Sequence, residues 1–278
     1  MRNRLVDTIR NFAIPATLFL GSALLLAQTS ELPKAAHSST SAPQAAPPGA
    51  QSAAKTSDLS GIWAITTGQP SWDPSDPPGK KPDQLPMTPW AREKFRTVRP
   101  AFGANQTFDN PNDPTEKYCD PPGLTRLYNF PWQFTIVQTP ASVFILYEYV
   151  HVWRVVTMDR PHPKDPDATW LGDSVGKYEN GALVIDTIGL NDKTWLDLVG
   201  HPHSDALHTV ERLRRIDHET LQLELTIEDP KAYTKSWTSK RIFKLSSVPL
   251  GETMCSVSEI QAFQKNIMDR TLPSPPAK

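Results

Sequence analysis

Cysteine is nearly absent: the chain of 278 residues has two, Cys119 and Cys255, too few for a zinc site built from thiolates alone. Excess charge is absent as well. With 29 basic residues against 30 acidic ones there is no field to draw nucleic acid or an anionic membrane, and the expected partners are small neutral or mixed-charge molecules. Beyond the first residues there is no long apolar run. The one that exists, Phe12 to Ala27, is interrupted by Pro15 and falls short of the roughly 20 residues that span a bilayer.

That apolar run follows a basic segment with Arg2, Arg4 and Arg10 and ends at the small residue Ala27, the pattern of a signal peptide over residues 1–27. Export is expected, to the periplasm or beyond, with no stable membrane span once the segment is removed. No cysteine follows directly, so lipid attachment there is not expected. Residues 28–57 are rich in Ala, Pro, Ser, Thr and Gln and cannot bury enough apolar surface to offset their ordering entropy, which reads as a flexible tether. The Pro-rich residues 270–278 read the same way. Residues 58–269 suit one domain able to bury a sizeable core. In an oxidising compartment Cys119 and Cys255 form either one disulfide or two buried thiols.

What the chain does have is proline and short β patterns. The segment from Trp72 to Pro89 carries a run of prolines, which lack an amide donor, so it is an excursion over the surface. Thr88 and Pro89 then start a short helix running to about Val98, as N-cap and first-turn proline. Residues 99–127 return to loop composition. Phe134 to Thr139 and Ser142 to Tyr149 are β-branched and aromatic on both faces, which predicts a central hairpin, and Val152 to Met158 continues the meander. Asn180-Gly181 is a two-residue type I′ turn signal; pairing across it sets Tyr178 opposite Leu183 and Gly176 opposite Ile185, with Asp186 facing outward. Ser236 to Leu245 is the last strand, and a short amphipathic helix is expected from about Ser256 to Met268.

Gly172-Asp173-Ser174-Val175-Gly176 matches the G-x-S-x-G nucleophile elbow, and Asp205 and His208 follow in serine-hydrolase order. The elbow needs a strand, a sharp turn and a helix, whereas Ser174 runs straight into a hairpin; it reads as a strand serine.

The densest chemistry lies between Gly200 and Ile216. Leu221, Leu223, Leu225 and Ile227 alternate with polar residues, so that strand has one buried and one wet face. For its partner two registers are open. In one, His208, Val210, Arg212, Arg214 and Ile216 face inward; in the other, Leu207, Thr209, Glu211 and Leu213 do. Either buries a charge, which demands a counter-charge, water or a ligand, unless these side chains sit at the rim and reach water. Upstream, His201 and His203 point the same way in an extended loop and His208 could join them. With Asp205 or Glu211 they compose a candidate site for a divalent metal such as zinc, iron or copper, against the alternative of hydrogen-bonded or solvated histidines. His162 in a Pro-rich loop is a fourth candidate. Trp153, Trp170 and Trp195 serve either as core or as ligand platforms.

Gly61-Ile62-Trp63 resembles the first strand of lipocalin-like barrels, in which the tryptophan closes one end. The stretches Gly176 to Thr187, Asn191 to Asp197 and Gly200 to His208 together resemble a family of exported proteins of soil bacteria. That resemblance implies export and a mostly-β fold, and brings no activity or catalytic residue with it.

The expected architecture is therefore all-β: an antiparallel meander closing into a lipocalin-like barrel with long Pro-rich loops. The leading functional expectation is an exported small-molecule-binding protein, its cavity lined by Arg212, Arg214, Glu211 and His208, with Trp195 and Asp205 as further contacts. The competing expectation is a periplasmic enzyme, metal-dependent or not, with His203 or His208 as general base or metal ligand, Glu211 as carboxylate, and Arg212 stabilising an anion. A third is an envelope interaction module that uses the Pro-rich loops.

Overall fold

Nine short strands, each alternating inward and outward residues, close on themselves in chain order in a computed structural model that describes residues 58–66, 69–75, 84–100, 107, 112–263 and 265. The signal-like segment, the tether and the C-terminal tail lie outside the described residues. The strands are β1 (Gly61–Ile65), β2 (Phe134–Gln138), β3 (Ser142–Tyr147), β4 (Trp153–Met158), β5 (Asp173–Glu179), β6 (Ala182–Ile188), β7 (His208–Asp217), β8 (Thr220–Glu228) and β9 (Trp237–Leu245), with β9 pairing back onto β1. Among the described residues three α-helices accompany them: α1 (Pro89–Thr97), α2 (Pro114–Tyr118) and α3 (Val257–Phe263). Thr88 caps α1 by accepting a hydrogen bond from the Ala91 amide, as its sequence predicts. The all-β barrel holds.

The meander has one departure. β4 and β5 are parallel, pairing Val156 to Met158 with Ser174 to Gly176. Parallel neighbours need a crossover of a dozen or more residues, and residues 159–172 supply it as a strap without helix or strand that returns along the outside of the barrel. The other hairpins follow their local signals. Asn180 and Gly181 take positive φ values of 50° and 75°, as a type I′ turn requires, and Gly176 and Tyr178 face Ile185 and Leu183.

Parity decides the rest. β7 pairs Leu213 with Leu223, Glu211 with Leu225 and Thr209 with Ile227, so the register that buries Thr209, Glu211 and Leu213 is the one formed. His208, Val210, Arg212 and Arg214 consequently stand on the outer wall. The middle of the barrel is filled by side chains. Tyr128, on a single 3₁₀ turn (Arg126–Tyr128), enters from one end and packs edge-on against Phe134 and Tyr147, at ring separations of 5.6 and 5.7 Å. Phe243 closes the same aromatic group.

At one end Trp63 is fully buried, its indole donates to the Leu59 carbonyl at 2.9 Å, and the Arg215 guanidinium lies 5.1 Å above its ring. The opposite end is covered by the long loops. Trp72 is the hub there: its amide donates to Asp197, its indole to the Thr125 carbonyl, and Arg241 stacks on it at 3.9 Å. Burial pushes the Arg241 pKa down to about 10. The residues read as one long loop between α1 and β2 thus contain α2 and the 3₁₀ turn. Cys119 at the C-cap of α2 is disulfide-bonded to Cys255, which ties the segment after β9 to this end.

β2 and β3 are flanked on both sides, as a central hairpin should be, but the apolar residues of their outer face are not buried. Every strand of a closed barrel has two neighbours, and the outward residues Val137, Leu146 and Trp153 are left exposed.

Candidate functional site

The histidines of the Gly200–Ile216 stretch go to three different places. His201 is buried against Asp197, Nδ1 to Oδ2 at 2.5 Å, and stacks under Phe95 at 4.9 Å. Burial pushes the Asp197 carboxyl up, but the His201 charge and hydrogen bond, with the amides of Trp72 and His201, hold it below its ordinary value. His203 is buried with Nε2 2.8 Å from Thr194 Oγ1 and Nδ1 3.2 Å from the Ser204 carbonyl, and desolvation lowers its pKa. His208 stands outside on β7. The three do not converge, and among the described residues no group of three or more His, Cys, Asp or Glu is arranged to hold a metal ion. Asp205 is exposed and paired with Lys231, and Trp195 is buried with the Arg126 guanidinium 5.4 Å from its ring. These residues build the plug of one barrel end. Asp197 and Asp229 pin it by accepting backbone hydrogen bonds, from Trp72, Val199 and His201 in one case and from Ser204, Lys231 and Ala232 in the other.

Inside the barrel the buried charge of β7 has its counter-charge. Arg154, pointing inward from β4, donates to both oxygens of Glu211 at 2.8 and 2.6 Å and to the Tyr128 hydroxyl at 3.0 Å. Burial opposes the Arg154 charge, but Glu211 more than offsets it and raises the pKa, while desolvation pushes the Tyr147 hydroxyl nearby to about 12. Ser174 and Thr187 complete the polar band, Oγ to Oγ1 at 3.0 Å. Ser174 is a buried strand residue inside the barrel, and the elbow match is a coincidence of spacing. The expected cavity lined by Arg212, Arg214, Glu211 and His208 is corrected: three of the four point outward and Glu211 is neutralised by Arg154.

The outer wall carries the more open arrangement. A cleft of about 500 Å³ runs along β5, β6 and β7 beneath the start of the strap. Val175, Val184 and Val210 line it with apolar surface, and Lys177, Glu179, Asp186 and Arg212 surround them with charge, because strand alternation turns all seven outward. Asp159, Arg160, Pro161 and His162 of the strap, with Gly176, form the remaining wall.

Along the rim, cations and anions alternate. Arg160 reaches Asp173 Oδ2 at 2.5 Å; His162 sits between Asp173 Oδ1 (Nδ1, 2.7 Å) and Asp186 Oδ1 (Nε2, 3.0 Å). His208 Nε2 approaches the same Asp186 at 3.1 Å, and its Nδ1 lies 3.4 Å from Glu228. Desolvation raises the Asp173 pKa, but the hydrogen bonds and charges of Arg160 and His162 leave it lowered overall. On the other side Glu179 bridges Lys177 at 2.7 Å and Arg212 at 3.5 Å. Lys177 holds the Glu179 carboxyl below its ordinary value.

Of the predicted site residues, the cleft therefore gathers Arg212 and His162, the fourth histidine candidate, as lining residues and His208 on its border. Arg160, His162, Asp173 and Asp186 come to it through the parallel crossover, which no local pattern in residues 159–172 announces. Protein-family models, curated proteins and solved structures provide no match to this chain.

Proposed function

We propose that the chain is an exported protein that binds a small organic molecule of mixed polarity, and that it does so in the outer-wall cleft rather than inside the barrel. The observation that carries this reading is the cleft itself: about 500 Å³ with a valine floor and charged groups of both signs converging on it. An apolar floor supplies affinity through area removed from water, and paired rim charges supply orientation. Export is supported by the N-terminal sequence pattern and by the disulfide.

The test is mass spectrometry of small molecules released from protein purified from its native compartment, compared with a Val184→Trp variant that fills the cleft floor. A compound released by the wild type and missing from the variant supports the reading. A compound retained equally by both places binding elsewhere.

A second reading, acid–base catalysis, is favoured by His208, whose ring lies within hydrogen-bonding distance of both Asp186 oxygens at the edge of the same cleft. Turnover of the released compound that vanishes in His208→Gln while binding persists would select this reading over binding alone.

A further inference from the structure

The strap across residues 159–172 is fastened to the barrel wall by its first residues. Arg160 reaches Asp173 on β5, and His162 spans from Asp173 on β5 to Asp186 on β6. Both neighbours of the His162 ring are carboxylate oxygens, which only accept when ionised. An imidazole satisfies two such acceptors only when both ring nitrogens carry protons; a neutral ring turns a lone pair toward one of them.

We propose that residues 159–172 form a pH-operated cover over the outer-wall cleft, clasped shut by protonated His162 and loosened when that ring loses its proton. The strap contributes Arg160, Pro161 and His162 to the cleft wall, so its detachment widens the entrance. The role in ligand entry rests on the binding reading above; the clasp itself does not.

The surroundings of His162 agree with this assignment. From the strap it has Arg160 and Asp159; from β5, Asp173 with Lys177 and Glu179 further along; from β6, Asp186; from β7, His208 and Arg212; and from β8, Glu228 behind His208. Lys177 and Arg212 are engaged by Glu179, and Arg160 by Asp173. Deprotonating His162 therefore leaves Asp186 with His208 as its remaining side-chain contact and Asp173 with Arg160, and sets the neutral ring between two carboxylates. The ring is mostly but not wholly covered, so protons reach it without unfolding the barrel. Between its two ends the strap is lightly held: Asp159 donates to the Gly176 carbonyl at one end, Thr169 donates to the Gly189 carbonyl and accepts from the Asn191 amide near the other, and Pro161, Pro163 and Pro166 between them donate none. Such a segment opens locally at small cost.

The test is hydrogen exchange by mass spectrometry on the full chain at about pH 5.5 and about pH 8, on either side of the usual histidine range, corrected for intrinsic chemical rates. Peptides covering residues 159–172, which report the Asp159 and Thr169 amides, should lose protection by roughly ten- to a hundredfold at the higher pH, the size expected for one charge-assisted hydrogen bond. β7 and β8 peptides should not change. In His162→Gln the strap should be less protected at low pH and show no difference between the two conditions. Equal strap protection in the wild type at both pH values, or a pH difference that survives in His162→Gln, overturns the proposal. If His162→Gln does not fold, Asp186→Asn serves instead, since an amide accommodates either ring state, and a pH response undiminished in that variant is equally fatal. Because exchange is read without ligand, failure of the clasp and failure of the binding reading are distinguishable: the second is reported by compound release from the Val184→Trp variant.

Discussion

Arg154 on β4 and Glu211 on β7 meet inside the barrel through two hydrogen bonds, with side chains 3% and 0% exposed. An ion pair so enclosed costs much of its attraction in lost hydration, so its presence stabilises the fold little compared with apolar residues of the same shape. Removing one partner is a different matter, because the survivor stays buried and charged. Glu211→Leu and Arg154→Met should each destabilise the protein by about 3 to 5 kcal/mol in urea unfolding. The double variant Arg154→Met/Glu211→Leu should recover most of that loss. A double variant no better than the sum of the singles would show that the pair holds the fold through its hydrogen bonds to Tyr128 rather than through mutual neutralisation.

His203 makes the plug sensitive to acid. Its folded pKa lies below the ordinary 6.5 because burial disfavours the charged ring, so between the two values the unfolded chain binds the extra proton. The stabilisation is complete above pH 6.5 and is lost as pH falls through the folded pKa, with a slope of at most about 1.4 kcal/mol per pH unit for one group. Urea midpoints measured from neutral pH downward should therefore fall, and the fall should be shallower in His203→Gln. Parallel curves for the two proteins would mean that the ring is protonated in the fold after all.

How far the sequence reaches is clearest on β7. Alternation in Leu221 to Ile227 establishes that β8 has one buried face, and the demand for a counter-charge follows from either register of β7. Which register forms depends on how the β7–β8 turn is closed; a shift between Arg215 and Asp217 settles it in favour of Glu211. Arg212, Arg214 and His208 move together to the outside because a strand has period two. The Asn180-Gly181 turn and the Thr88 cap were legible because a few adjacent residues determine each. The cleft was not, since it depends on a parallel crossover whose partners, His162 with Asp173 and Asp186, meet only after β5 and β6 have paired. The histidine-rich loop misled for a related reason: residue types suited to metal also suit a buried plug, where imidazoles satisfy Asp197 and Thr194.

The Cys119–Cys255 bond closes a separation of 136 residues. Chain entropy alone would assign such a loop about 5 kcal/mol. Yet Cys255 lies beyond β9, the last strand of the barrel, so part of that constraint is spent on holding α3 beside α2. Cys255→Ser should lower stability by roughly 2 to 4 kcal/mol while leaving the β-sheet circular dichroism unchanged. Hydrogen exchange should rise in residues 253–263 before any strand is affected. A loss spread evenly over the barrel would place the bond at the centre of the cooperative unit.

The β4–β5 seam is one of the barrel's three shortest ladders. Its ladder comprises Val156 to Met158 against Ser174 to Gly176, and the inner side of that contact depends on Gly176 having no side chain. A Cβ at residue 176 would lie 2.7 Å from Val156 Cγ1 and 2.9 Å from Met158 Sδ. Met158 can swing away through its flexible thioether; Val156 cannot, because its branched carbon is fixed at χ1. Gly176→Ala should therefore cost about 1 to 3 kcal/mol through overpacking. Val156→Ala removes the atom in the way, and adding it to Gly176→Ala should restore part of the loss, giving a favourable coupling between two individually destabilising changes. Strictly additive costs would show that the seam yields by shifting backbone rather than by clashing at Val156. The same variant bears on the strap, which is anchored by the Asp159 amide on the Gly176 carbonyl: if the seam shifts, residues 159–172 should exchange faster in Gly176→Ala at every pH.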